Sequence, residues 1–240
     1  MRPAVSLTAV EFRRGWPVLF AAALGTAFGA SPIPFNSIGP FTRPLAEEFG
    51  WGRGDIQLAL FWFTAAVVLT VPFVGGLADR IGVRKVAIAT LALFGVSFAA
   101  LALTPASLVA FYLLWGLMGA LGAGSTPVTW TRVVNTWFVH NRGFALALTL
   151  MGTGLTAALL PSLATWLIGE FGWRRAFLGI ALLPLAVALP VAVWLFREPD
   201  ASESSHLGAS ARRSGVTVRA ALRDYRFWVI AGSILCIAIG

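Results

Sequence analysis

The chain of 240 residues is 58% hydrophobic and only 12% charged, whereas soluble domains carry about 25% charged residues. Such a composition cannot build a solvated surface, so most of the chain is predicted to face lipid or other helices. The net charge of +8 comes from basic residues at the ends of apolar runs rather than in one patch. This pattern favours orientation in a membrane over nucleic-acid binding.

Six apolar runs follow one another, each long enough to cross a bilayer as a helix of about 20 residues. Basic residues before the first run could belong to a secretory signal, but further spans follow at once, which favours a true first span. The polar stretch 197–226 is predicted as a cytoplasmic linker, and 227–240 as the truncated start of a seventh helix. The predicted fold is thus an all-α membrane protein with a six-helix bundle within 1–196. Its spans are residues 16–41, 56–76, 86–103, 108–131, 143–168 and 176–196.

The distribution of positive charge predicts the orientation of these spans. The chain has 18 lysine and arginine residues, and all but four fall on the side of the membrane that holds the N-terminus. The positive-inside rule therefore predicts a cytoplasmic N-terminus and a multi-pass protein of the bacterial inner (plasma) membrane. The four exceptions are Arg43, Arg53, Arg174 and Arg175.

A short charged loop between the second and third runs carries the most specific motif. It reads Gly75-Gly76-Leu77-Ala78-Asp79-Arg80-Ile81-Gly82-Val83-Arg84-Lys85. It resembles the signature loop of the major facilitator superfamily of secondary transporters, G-x-L-A-D-R-x-G-x-R/K-R/K. The resemblance implies the N-terminal half of that fold and a loop that latches the two halves. The latch residues would be Gly75, Asp79, Arg80, Gly82, Arg84 and Lys85. The alternative is that the basic residues only set topology, which leaves Asp79 unexplained.

Three further motifs narrow the resemblance. They are E-F-G-W-x-R at 48–53, W-F-x-x-x-R-G-x-A at 137–145 and G-W-R-x-A-F at 172–177. Together they resemble the monocarboxylate transporter and oxalate:formate antiporter branch. This similarity implies secondary active transport of a small organic solute, such as a carboxylate anion, by alternating access. The implied partners are the lipid bilayer, a coupling proton or counter-solute, and a missing C-terminal half.

Two departures limit the resemblance. Asn36 stands where animal monocarboxylate transporters carry a lysine in the first span. Trp115 stands where many proton-driven drug exporters carry an arginine, and Gly152-Thr153-Gly154 replaces their G-P-x-x-G-G pattern. Drug efflux is therefore less favoured, although it stays an alternative, as does a non-transporting membrane fragment or partner subunit.

The family's cavity is lined by spans one, two, four and five, which hold few polar residues here. Three candidates have a second interpretation: a helix–helix hydrogen bond for Asn36, a topology anchor for Arg132, and backbone bonding for Thr153. No catalytic constellation, cofactor motif, metal cluster or phosphate-binding loop is present in the sequence, so an enzyme or an ATP-driven pump is not predicted. The predicted substrate-binding residues are Asn36, Thr126, Trp130, Arg132 and Thr153.

Overall fold

The computed structural model describes residues 7–199 together with 225 and 229. The described residues form ten α-helices and no β-strand. Three short segments join or continue them: 3-10 turns at Leu101–Leu103 and Ala123–Ser125, and a π-helical segment at Leu183–Ala188. The α-helices are Leu7–Ala27 (α1), Pro32–Phe49 (α2), Arg53–Gln57 (α3), Ala59–Ile81 (α4), Val83–Ala100 (α5), Leu108–Gly122 (α6), Pro127–Trp137 (α7), Arg142–Phe171 (α8), Trp173–Leu182 (α9) and Leu189–Leu195 (α10).

These helices form six stretches that are long and apolar enough to cross a membrane, which confirms the predicted all-α class and number of spans. The first, second and fourth are clearly longer than the predicted apolar runs, because the helices continue through polar residues at their ends. The predicted linker and seventh helix lie outside the described residues, apart from 197–199, 225 and 229. The stretches are Glu11–Phe49 (span 1), Arg53–Ile81 (span 2), Val83–Leu103 (span 3), Leu108–Trp137 (span 4), Arg142–Phe171 (span 5) and Trp173–Leu195 (span 6).

The packing of the spans has an internal symmetry. Span 2 packs on span 4, and in the same way span 5 packs on span 1. Span 3 contacts span 4, and span 6 makes the equivalent contact with span 1. Spans 1 and 4 contact each other, and so do spans 3 and 6. The pattern is unchanged when spans 1–3 are exchanged with spans 4–6. Because spans 1 and 4 run in opposite directions, this is the arrangement of an inverted repeat.

Burial distinguishes the centre of the bundle from its flanks. The most apolar part of span 1 is 67% buried, whereas those of spans 2 and 5 are 11% and 22% buried. Two apolar cores support this arrangement. One surrounds Phe41, Phe98 and Phe177, and the other surrounds Trp130 and Trp137.

The two ends of the bundle are named by their contents. The N-side is the end that holds Glu11 and the loop motif, and the far side is the opposite end.

Span 4 approaches span 2 through a glycine. A Cβ added at Gly119 would lie 2.4 Å from the carbonyl oxygen of Phe63, whereas one at Gly116 would meet only the carbonyl oxygen of Trp62, at 3.9 Å. We expect Gly119→Ala to destabilise the bundle by about 1–3 kcal/mol, because the two backbones must separate. Gly116→Ala, one turn earlier, is the matched control. Unfolding in mixed micelles measures both, and equal stability of the two variants would contradict the contact.

Candidate functional site

Spans 1 and 4 are both interrupted in the middle of the bundle by related sequences. Span 1 breaks between α1 and α2 at Gly29-Ala30-Ser31-Pro32, and span 4 breaks between α6 and α7 at Gly124-Ser125-Thr126-Pro127. Proline occupies the first helical position after each break, where its missing N–H costs no helical hydrogen bond. The two breaks share the pattern G-x-S/T-P and occupy equivalent spans of the repeat.

The two breaks meet where spans 1 and 4 cross. The backbone N–H of Ala30 donates to Ser125 Oγ at 3.1 Å, and that hydroxyl donates to the carbonyl of Gly122 at 2.8 Å. Gly29 lies so close to span 4 that an added Cβ would be 2.3 Å from the carbonyl oxygen of Ser125. Interrupted helices at mid-membrane are the usual frame of transporter binding sites, since their backbone groups are not all engaged within the helix.

A cleft runs from the break in span 4 towards the N-side. Its volume is about 80 Å³, and its walls come from spans 2, 3 and 4. Thr126 lies at the break, while Arg132 lies within α7, the helix that follows the break. Most of the remaining wall is apolar, so the guanidinium is the only ionisable group among the described residues that line the cleft. The other lining residues are Val71, Val74, Gly75, Ala78, Val83, Ala123, Val128 and Thr129.

The loop motif lies beside this cleft and is tied to its own half of the fold. Arg132 donates to Asp79 Oδ1 at 2.5 Å, which joins span 4 to the end of span 2. Arg84 donates from its side chain to the Val193 carbonyl at 2.6 Å and from its backbone N–H to Glu198 at 2.9 Å, which joins span 3 to the end of span 6. Gly82 has φ of 97°, a conformation that favours glycine.

Arg80 and Lys85 complete the loop motif. Both side chains are exposed on the N-side and bond to no other described residue. The contacts of Asp79 and Arg84 are made to the six spans and to Glu198 just after span 6, so a latch between two halves stays a prediction.

The structure brings together only two of the five predicted substrate-binding residues, Thr126 and Arg132. The Asn36 side-chain amide donates to the carbonyl of Pro32 at 2.7 Å. This hydrogen bond lies within one helix, so it is not the bond between helices that was the alternative to substrate binding. Thr153 likewise donates to its own helix, at the carbonyl of Leu150.

Trp130 takes part in packing rather than lining the cleft. Its side chain is fully buried, its Nε1–H donates to the Ser125 carbonyl at 3.1 Å, and its ring lies 4.7 Å from that of Phe196. It also packs so closely on span 1 that a Cβ at Gly25 would overlap the indole. In this conformation Trp130 is therefore out of reach of a solute.

Sequence reasoning missed two carboxylates that fasten span 1 at its ends. Glu11, which is 3% exposed, accepts hydrogen bonds of 3.0–3.2 Å from the backbone N–H groups of Val139, His140 and Asn141, just before span 5. On the far side, Glu48 accepts from Trp173 Nε1 at 2.5 Å and from Arg174 at 2.6 Å, at the start of span 6. Glu11 is the lone acid of a basic N-terminal segment, which is the one signal that could have drawn attention to it.

Comparison with known proteins agrees with this architecture of interrupted, symmetrically packed spans. The sequence model of the Major Facilitator Superfamily matches residues 15–240. The chain belongs to the major facilitator superfamily and is an integral, multi-pass membrane protein.

Its relatives include proteins named as transporters. It is 35% identical over 187 residues to the gallate transporter of Pseudomonas putida, covering 76% of this chain and 40% of that protein. It is 29% identical over 168 residues to monocarboxylate transporter 4 of Mus musculus, which covers 68% of this chain and 34% of that protein. It is 26% identical over 172 residues to the uncharacterized MFS-type transporter YcxA of Bacillus subtilis, which covers 70% of this chain and 41% of that protein. The chain thus spans half or less of the length of these curated relatives.

Proposed function

We propose that this chain is the first half of a secondary active transporter, not an enzyme, and that it moves small organic anions that carry a carboxylate. The crossing of the two interrupted spans is the observation that carries the proposal, because it supplies an irregular backbone in the middle of the membrane. Arg132 supplies the positive charge that a carboxylate requires. The names of the gallate and monocarboxylate relatives support the same substrate class.

In this proposal, transport proceeds by alternating access. The six spans move as one unit against a second half of similar size, which the length of the relatives supports. Spans 2 and 5 are the least buried and offer the surfaces for that second half. The N-side, with Arg84 and Lys85, is proposed to face the cytoplasm of a bacterial inner membrane. A proton or a counter-solute would supply the driving force.

Uptake by proteoliposomes tests the proposal. The complete reading frame that contains these residues is reconstituted, and entry of labelled pyruvate and labelled gallate is compared with that of labelled benzamide, which has no carboxylate. Saturable uptake of an acid but not of the amide is expected. Uptake of benzamide alone, or of no acid, would contradict the assignment of carboxylates.

The same assay tests the loop motif. We expect Asp79→Asn to slow transport by roughly tenfold while leaving membrane insertion unchanged. The substitution removes the ion pair between Asp79 of the loop and Arg132 of span 4, which is why transport should slow. Membrane insertion should be unchanged because topology depends on the basic residues. Insertion is checked by the yield of the folded protein in membranes. An uptake rate equal to that of the unaltered protein would exclude a conformational role for Asp79.

Export of an uncharged, hydrophobic compound is the second candidate. The apolar wall of the cleft, formed largely by Val71, Val74, Val83 and Val128, favours it. Dye-efflux measurements on cells that express the complete protein distinguish the two, because an exporter of this kind would lower dye accumulation and would be insensitive to added carboxylates.

A further inference from the structure

Arg132 is only partly engaged by its partner. A guanidinium has five N–H donors, and Arg132 uses a single nitrogen, Nη2, to reach Asp79 Oδ1. No other hydrogen bond joins the Arg132 side chain to a described residue. Arg132 lines the cleft, whereas Asp79 is not among its lining residues, so Arg132 is in contact with both the carboxylate of Asp79 and the cleft.

The ion pair is exposed and therefore exchangeable. The side chains of Arg132 and Asp79 are 51% and 61% exposed, and ion pairs in contact with solvent contribute little to stability. A second carboxylate that reaches Arg132 from the cleft could bind two guanidinium N–H groups in parallel, which is a stronger arrangement than a single bond. The exchange would thus cost little and would gain a better-oriented contact.

The cleft matches the head group of an acid. Its volume of about 80 Å³ is well above the minimum that a single water molecule needs, so the cleft admits a carboxylate group. The Thr129 side chain also lines the cleft, and its hydroxyl bonds to no other described residue, so it can donate to a second oxygen. The apolar wall receives the carbon atoms next to the carboxylate.

We propose that the carboxylate of the transported solute competes with Asp79 for Arg132. Binding of the solute then releases Asp79 and unfastens the end of span 2 from span 4. The solute itself would thus unlock the loop motif, and the empty protein would keep the loop fastened. This inference rests on the proposed function, since it assigns a regulatory step to the same site.

Equilibrium binding tests the competition. The affinity of the complete protein for benzoate is measured by microscale thermophoresis, with benzamide as the neutral probe. Asp79→Asn is expected to tighten benzoate binding roughly two- to fivefold, because the competing carboxylate is gone. Asp79→Ser removes the same carboxylate and must give the same gain. Arg132→Gln is expected to weaken binding about tenfold and to cancel the gain when combined with Asp79→Asn.

The outcomes separate this inference from the proposed function. Arg13→Gln is the control for Arg132→Gln, because it removes one positive charge at an exposed position on the N-side. It should leave benzoate affinity unchanged. Benzoate binding that is indifferent to Asp79 would overturn the competition while carboxylate transport stands. Absence of benzoate binding in every variant would overturn the substrate class together with the competition.

Discussion

Replacing Glu11 by glutamine is expected to lower the free energy of unfolding by about 3 kcal/mol. The buried carboxylate accepts hydrogen bonds from three consecutive backbone N–H groups, at 139–141, and from the Asn141 side chain. Hydrogen bonds to a charged group contribute about 1.5–3 kcal/mol each, and donors left without an acceptor add a desolvation cost. An amide keeps one acceptor oxygen but turns an NH₂ group towards the donors, so several bonds are lost together.

Titration with a denaturing detergent, followed by tryptophan fluorescence, measures this loss. Glu47→Gln is the matched control, because Glu47 is an exposed carboxylate on the same span and, among the described residues, it pairs only with Arg43 one turn away. The control should unfold close to the unaltered protein. A Glu11→Gln variant as stable as the Glu47→Gln variant would show that the carboxylate does not hold the loop between spans 4 and 5.

Replacing Gly29 by alanine is expected to cost about 2–4 kcal/mol and to abolish transport. The added methyl group would lie 2.3 Å from the carbonyl oxygen of Ser125 and 2.7 Å from that of Gly25. Neither backbone atom can rotate away, so spans 1 and 4 must separate. The separation also breaks the bond from Ala30 to Ser125 Oγ, which adds a lost hydrogen bond to the cost of overpacking.

Gly39→Ala is the control for this substitution. It lies on the same span, and a Cβ there meets no atom within 4 Å, so it should preserve both stability and uptake. Unfolding and proteoliposome uptake are measured on the two variants in parallel. Normal uptake by Gly29→Ala would mean that the crossing of the two breaks is not needed for transport.

The number of spans could be predicted because each apolar run falls within the length range of membrane-spanning helices. The C-terminal end of span 1 could not be predicted from hydropathy, because the helix continues through the polar residues Glu47 and Glu48 after the apolar run has ended. The inverted repeat was also hidden, since four-residue matches such as 29–32 and 124–127 are too short to stand out until packing brings them together. Thr126 and Arg132 line one cleft, but helical spacing alone could not place them together, because Thr126 is the extended N-cap of α7 and six residues do not bring two side chains to one helix face.

The contacts between distant parts of the chain were beyond such reasoning. Glu11 and the loop at 139–141 are separated by about half the chain, and no periodicity links them. Trp130 suggested a substrate contact because a polar indole stands in a span. Its burial depends on Gly25, which leaves room for the ring on the facing helix.

The two carboxylates at the ends of span 1 have a mechanical consequence. Glu11 and Glu48 both belong to the first three-span unit, and both bond to the second: to the loop before span 5 and to the start of span 6. Each half of the interrupted span 1 is thus fastened to the second unit at its outer end, so sliding of one unit past the other along span 1 would break one of these sets of hydrogen bonds. The contact between the two three-span units is therefore held at both ends of the bundle, whereas spans 2 and 5, the least buried spans, leave the outer flanks of the bundle exposed.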